Sequence, residues 1–133
     1  MLKYMLDTNI CIYVNKNRPT ETREAFNRHA GQICISSVTW GELVYGAEHS
    51  ARPEENLAVI EGMSARLEVL AFEIHDANHF GQIRSELYRI GNPIGPYDMM
   101  IAGHARARGL VLVTNSLREF ERVSGLCTEN WVR

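Results

Sequence analysis

Cysteine is scarce here and does not pair off: Cys11, Cys34 and Cys127 are odd in number, far apart and without a C-x-x-C spacing. That excludes a disulfide scaffold and a thiolate zinc site, and it fits a reduced, cytoplasmic compartment. Strong charge of one sign is lacking too. Fourteen Lys and Arg stand against 16 Asp and Glu, a formal net charge of −2, so any contact with nucleic acid must rest on a local basic patch rather than a global field. Long apolar runs are absent. Nothing approaches the roughly 20 residues needed to span a bilayer, and the short apolar start leads straight into Asp7 instead of a signal-peptide core. Repeats, low-complexity tracts and linkers are missing as well. The 133 residues are therefore expected to form one soluble domain, 1–133, away from the membrane.

What is present is an alternation of short apolar strands and helices. Tyr4 to Leu6 reads as a first strand, followed by a helix from about Asn9, a loop at Asn17 to Thr20 and an amphipathic helix through Phe26. Ile33 to Ile35 gives a second strand, and a helix from Val38 to about His49 follows, with Thr39 and Glu42 spaced as a capping box. Pro53 opens a helix over Glu54 to Arg66. Val69, Leu70, Phe72 and Ile74 suggest a third strand, and Asp76 to Ile90 a helix with Phe80, Ile83, Leu87 and Ile90 inward. Gly95 and Pro96 mark a loop, Asp98 stands at a helix start, and Gly109 stops that helix after Arg106 and Arg108. Leu110 to Val113 is a buried strand, Leu117 to Val123 a short helix or turn, and Trp131 with Val132 a possible edge strand. Strand–helix alternation at this spacing predicts an α/β fold with a mostly parallel sheet and helices on both faces.

Three acids sit at element ends: Asp7 after the first strand, Glu42 on the helix after the second, and Asp98 opening the last long helix. Ligands bind at the carboxyl ends of parallel strands, so positions far apart in sequence can converge there. Asp7 also suits a helix N-cap, and that structural role stands beside the functional one. Crowded carboxylates repel and stay ionised only beside cations. Oxygen donors without His or Cys select Mg2+ or Mn2+, and such a site cleaves phosphodiesters. His75 and His79 share a helical spacing, but no third ligand accompanies them. Arg84, Arg89, Arg106, Arg108, Arg118 and Arg122 lie on elements flanking the acids. They are candidates for a phosphate-binding rim, against the alternative of ordinary solvated helix faces.

Three stretches carry something more specific: MLDTNICIY at Met5 to Tyr13, ISSVTWGELVYGAE at Ile35 to Glu48, and IGPYDMMIAGHARARGLVLVTNSLREFERVSGL at Ile94 to Leu126. In this order they resemble the PIN-domain ribonucleases, and most closely the VapC-type toxins of bacterial toxin–antitoxin pairs. The resemblance implies a PIN-like three-layer α/β/α sandwich and a metal-dependent endoribonuclease with Asp7, Glu42 and Asp98 as its acidic core. The family's fourth acidic position falls within TNSLREF, where many relatives carry Asp two residues after the strand-end Thr. Here Thr114 is followed by Asn115 and Ser116. Glu119 is the candidate substitute and Asn115 a neutral alternative, which leaves one or two metal ions open. Thr8 and Asn9 would orient Asp7 or its water. The resemblance further implies an RNA substrate, with initiator tRNA cut in the anticodon stem-loop in the subgroup that looks most similar. It implies a small VapB-type antitoxin whose tail crosses the acids and covers apolar surface near Trp40, Val44 and Tyr45. Operator DNA would be reached only through the antitoxin, with a toxin homodimer inside the larger assembly.

Two rival readings fit the residues less well. A haloacid-dehalogenase-like phosphatase needs a second acid where Asn9 stands and a lysine that the later strands do not supply. A non-catalytic PIN scaffold that only binds RNA or a partner has no reason to keep Asp7, Glu42 and Asp98 together, since crowded charge costs stability.

Overall fold

The computed structural model describes residues 1–132. Five short strands, β1 (Tyr4–Leu6), β2 (Ile33–Ser36), β3 (Glu68–Leu70), β4 (Val111–Val113) and β5 (Thr128–Glu129), form one parallel sheet in the order β3-β2-β1-β4-β5. Seven helices connect them: α1 (Thr8–Lys16), α2 (Thr20–Arg28), α3 (Ser37–Glu48), α4 (Pro53–Ser64), α5 (Ile74–Arg89), α6 (Pro96–Arg108) and α7 (Leu117–Phe120).

Strand side chains alternate between two cores, as the pleat requires. Tyr4 and Leu6 of β1 join Ile33, Ile35 and Val113 and pack against Ile10, Val14, Phe26, Leu43 and Ile60 from α1 to α4. Met5, Cys34 and Leu112 face the other way, onto Ile83 and Leu87 of α5 and Met99, Ile101 and Ala102 of α6. Helices on both faces make the three layers, and they explain why the central strands read as unbroken apolar runs rather than alternating ones. The chain leaves β1 toward β2 and β3, then crosses to β4 on the opposite side. This reversal beside β1 is where an open α/β sheet leaves a crevice at its carboxyl edge, and Asp7 follows β1 directly.

Several boundaries differ from the sequence expectation for identifiable reasons. Helix α3 is capped by Ser36, whose hydroxyl accepts the Val38 N–H at 3.1 Å; Thr39 lies inside the helix and no Thr39–Glu42 box forms. The box that does form is at α5, where Glu73 and Asp76 cap reciprocally. Strand β3 stops at Leu70, and Ile74, expected to end the strand, opens α5 with 82% of its surface exposed. Ile90 lies just past the end of α5 and is 62% exposed, not inward. Helix α6 begins at Pro96, which suits the first helical position because its missing N–H has no partner to lose; Asp98 stands inside the first turn. The edge strand is Thr128–Glu129, and Trp131 instead inserts its ring into the core, edge-on to Tyr4 and stacked on His29.

Candidate active site

Four carboxylates meet at the carboxyl edge of the sheet. Asp7 is 4% exposed. Its Oδ1 accepts the Ile10 N–H at 3.0 Å, so it caps α1 and offers the remaining oxygen to the crevice. The capping role and the functional role are thus compatible. Burial raises its pKa, with the nearby Glu42 charge acting in the same sense and the Thr114 hydroxyl and Ile10 amide against it. Glu42 projects from α3 and accepts the Thr8 hydroxyl at 2.6 Å. Asp98, half-buried in the first turn of α6, is pushed up to about 6 by burial and by the charges of Glu42, Asp7 and Glu119. A helix start stabilises an ionised Asp by itself; here its acidic neighbours overcome that. Glu119 is exposed on α7.

The four acids act on one another, and among the described residues no Lys or Arg forms an ion pair with any of them. Nor, among those residues, do three carboxylate, imidazole or thiol groups close into a ready-made metal cage. The donor set nevertheless fits a hard divalent cation of the Mg2+ type, which is commonly held by one or two carboxylates, with water and substrate phosphate completing its shell. His75 and His79 lie with ring centroids 5.2 Å apart, but His79 Nδ1 accepts from Arg106.

The supporting residues divide. Thr8 holds Glu42, and buried Thr114 accepts the Ser116 N–H at 2.9 Å. Asn115 donates to the Tyr13 hydroxyl at 3.1 Å and keeps a buried, unpartnered Oδ1. Asn9 is exposed in the first turn of α1. The Tyr13–Asn115 contact has no signal in the sequence, because nothing local ties position 13 to position 115.

The candidate rim arginines divide, and two of them, Arg106 and Arg108, are engaged inside the fold and not on a free rim. Arg108 forks onto Asp76 at 3.0 Å from Nε and from Nη2, and reaches Glu73 and the Ala71 carbonyl at 3.2 Å. Arg106 donates to His79, Gln82 and the Ser124 carbonyl at 2.9 to 3.0 Å. Both are spent inside the fold. They also lie eight and ten residues along α6 from Asp98, about 12 and 15 Å at 1.5 Å per residue. Arg122 donates to the Pro93 carbonyl, Arg89 to Ser85, and Arg84 lies over the Tyr88 ring. Arg118 is exposed on α7 next to Glu119, the one arginine of the set adjoining a site acid in sequence.

A groove of about 370 Å³ runs from this edge between α1, α3 and α4. Thr8 and Glu42 line it together with Ile12, Leu43, Ala47, Val59 and Ile60. Its apolar wall is the Leu43 and Ala47 side of α3; the Trp40, Val44 and Tyr45 surface lies outside it, with Tyr45 67% exposed.

A second polar cluster lies behind the first. His104 is fully buried, with Nδ1 2.8 Å from Ser36 Oγ and Nε2 3.4 Å from Asp76 Oδ2. Burial alone would raise the Asp76 pKa, but the Arg108 hydrogen bonds, the Glu73 N–H and the charges of His104 and Arg108 hold it below the usual carboxylate value.

Comparison with known proteins places this geometry. The PIN domain family profile matches residues 4–126. The chain is 63% identical over 131 residues to the tRNA(fMet)-specific endonuclease VapC of Shigella flexneri, covering 98% of this chain and 99% of that one. Its fold superposes on the crystal structure of DNA-bound VapBC from Salmonella typhimurium with a TM-score of 0.94 at 60% identity, covering 98% and 99% of the two chains. VapBC2 from Rickettsia felis, bound to a DNA fragment from its promoter, gives 0.92 at 37% identity, with the same coverage of each chain.

Proposed function

The chain belongs to the PIN-domain family, and from that premise we propose that it is the toxin of a type II toxin–antitoxin pair: a divalent-metal-dependent endoribonuclease that cuts initiator tRNA in the anticodon stem-loop and so inhibits translation. The observation that carries the reading is the convergence of Asp7, Glu42, Asp98 and Glu119, which pushes Asp98 up to about 6 with no basic side chain paired to the group among the described residues. Uncompensated negative charge at the reversal point of the sheet is a cost that binding a cation repays in function. The cation is Mg2+ or Mn2+, and Asp7 and Asp98, with Glu42, would hold it.

When bound, the ion supplies positive charge to the phosphate oxygens and acidifies a water molecule. The chain's own residues fix where that happens. The Ile10 N–H locks the Asp7 rotamer, and the Thr8 hydroxyl holds Glu42 toward the same space. Glu42 and Glu119 are acceptors within the acidic cluster for the proton of an attacking water. Asn115, tied to Tyr13, supports the loop after β4 that brings Glu119 in. Arg118 binds substrate phosphate.

The partner reading rests on the groove that begins at Thr8 and Glu42. A VapB-type antitoxin segment lying in it, apolar side down, would reach the acids with a basic residue in place of metal. Operator DNA is bound through that antitoxin, the toxin dimerises within the assembly, and residues 1–133 act as one cytoplasmic domain. No helix among the described residues is long and apolar enough to cross a membrane.

The test is cleavage of initiator tRNA by the purified chain, with analysis of the new ends. Direct attack by water leaves a 5′-phosphate and a 3′-hydroxyl, and EDTA abolishes cutting. Cyclic 2′,3′-phosphate ends, or cutting that survives EDTA, overturn the mechanism. Growth arrest on expression, relieved by the adjacent gene, tests the toxin role separately.

A further inference from the structure

His104 plays no part in the chemistry above, yet it is fully buried at the junction of three elements. It is carried by α6, six residues after Asp98. Its Nδ1 meets the hydroxyl of Ser36, the residue that ends β2 and caps α3, the helix of Glu42. Ser36 Oγ already accepts the Val38 N–H, so its own proton is free to go to Nδ1. That leaves Nε2–H toward the Asp76 carboxylate, at 3.4 Å and short of a completed hydrogen bond. Burial lowers the His104 pKa and keeps the ring neutral, as a ring accepting at one nitrogen and donating at the other must be. The helix is also pinned from the far side. A Cβ at Gly103 would lie 2.7 Å from the Phe80 backbone nitrogen, so α6 rests directly on α5 with no room to shift that way.

One side-chain hydrogen bond therefore joins the helix of Asp98 to the cap of the helix of Glu42. We propose that His104 is a positioning residue for the carboxylate site, and that its bond to Ser36 sets the separation of Asp98 and Glu42. The inference rests on those two acids being the working groups. Nothing else is asked of His104: it touches neither substrate nor ion, and its effect passes through the placement of two helices.

The experiment compares H104N, H104Q and H104L with D98N and E42Q in the same tRNA cleavage assay, alongside Mn2+ binding measured by electron paramagnetic resonance and thermal melting. Asn places its amide where Nδ1 was, within reach of Ser36; Gln places it where Nε2 was, toward Asp76. H104L is expected to lose about a hundredfold in kcat, the scale of a 1 Å misplacement of reacting groups, with KM for tRNA little changed and Mn2+ binding weakened. H104N is expected to recover most of both, and H104Q neither, although both melt near the parent. H104Q matching H104N, or H104L retaining full kcat and Mn2+ affinity, overturns the proposal. Should H104L fail to fold, S36A decides: the S36A/H104Q double variant should be no slower than the slower of its two single variants, whereas additive losses would refute the link. Active D98N and E42Q would sink the site reading itself; inactive ones beside a fully active H104L sink only the present inference.

Discussion

Helix α6 meets a carboxylate at each end, its own Asp98 at the first turn and Asp76 of α5 at the last, and the fold treats the two in opposite ways. At its first turn Asp98 faces Asp7, Glu42 and Glu119, and its pKa rises to about 6. At its last turn Arg108 forks onto Asp76, which is fully buried yet held below the usual carboxylate value. Burial acts in the same direction on both acids. What differs is whether the fold supplies the cation. Where it does, the acid stabilises the molecule; where it does not, the acid is a destabilising charge awaiting something from outside. An acid that a fold leaves unpaired among other acids is thus a better marker of function than a buried acid as such.

The largest contrast should come from neutralising one acid at each end. D98N, and equally D7N, is expected to lower tRNA cleavage by about a hundredfold or more, the scale of removing one charge-handling group from an active site. Melting of the metal-free chain should hold or rise, because crowding is relieved. A large loss of metal-free stability in both variants would return Asp7 and Asp98 to a purely structural role. At the other end, R108M strands the buried Asp76 and is expected to cost about 2–3 kcal/mol in urea unfolding. Unchanged stability would mean that the fork carries no net energy.

The pH dependence sharpens the same contrast. Asp98 rises from an ordinary 3.8 to about 6, so between those values the folded chain binds the proton that the unfolded chain releases. Its contribution to stability declines as pH rises from about 4 to 6, and above that the penalty is fully in place. Asp76 is depressed, so its contribution is present above 3.8 and is lost as pH falls through its folded value. Metal-free melting temperatures should therefore decline less across pH 4 to 6 in D98N, with Asp7 supplying the remainder, and keep their acid limb. An unaltered pH 4 to 6 slope in D98N would show that Asp98 is not the group titrating there. The smallest effect concerns RNA: R118Q should reduce the salt slope of tRNA binding by about one, and an unchanged slope removes Arg118 from the interface.

The site end of this contrast was readable in the sequence and the structural end was not. Asp7 and Asp98 stand at element ends, which strand–helix alternation already brings together, while Glu42 lies inside α3, on the helix that follows β2. The Asp76 cluster has no comparable local signature, because Ser36, Asp76, His104 and Arg108 meet only through tertiary packing. For the same reason Arg106 and Arg108 read as a free rim: periodicity shows which side of a helix is polar, not which acid lies across from it. Ile74 and Ile90 were misplaced at the two ends of α5, where an apolar stripe outruns the neighbour it packs on. Trp131 suggested a strand because large aromatics favour sheets, but its burial comes from the ring lying on Tyr4 and His29 and needs no ladder hydrogen bonds.

The pairing of β1 with β4 bears on how this chain is made. Residues 4 to 6 align with residues 111 to 113, and the Asp7 N–H donates to the Val113 carbonyl. A strand near the start of the chain thus waits, during synthesis, for one more than a hundred residues later, and domains form as units once their late segments emerge. The strand ahead of Asp7 can pair early with β2, but Asp7 and Glu42 are translated long before β4 completes the edge on which they stand. The β1–β4 seam, and with it the complete sheet edge that carries the acids, is accordingly one of the last parts of the fold that synthesis can close.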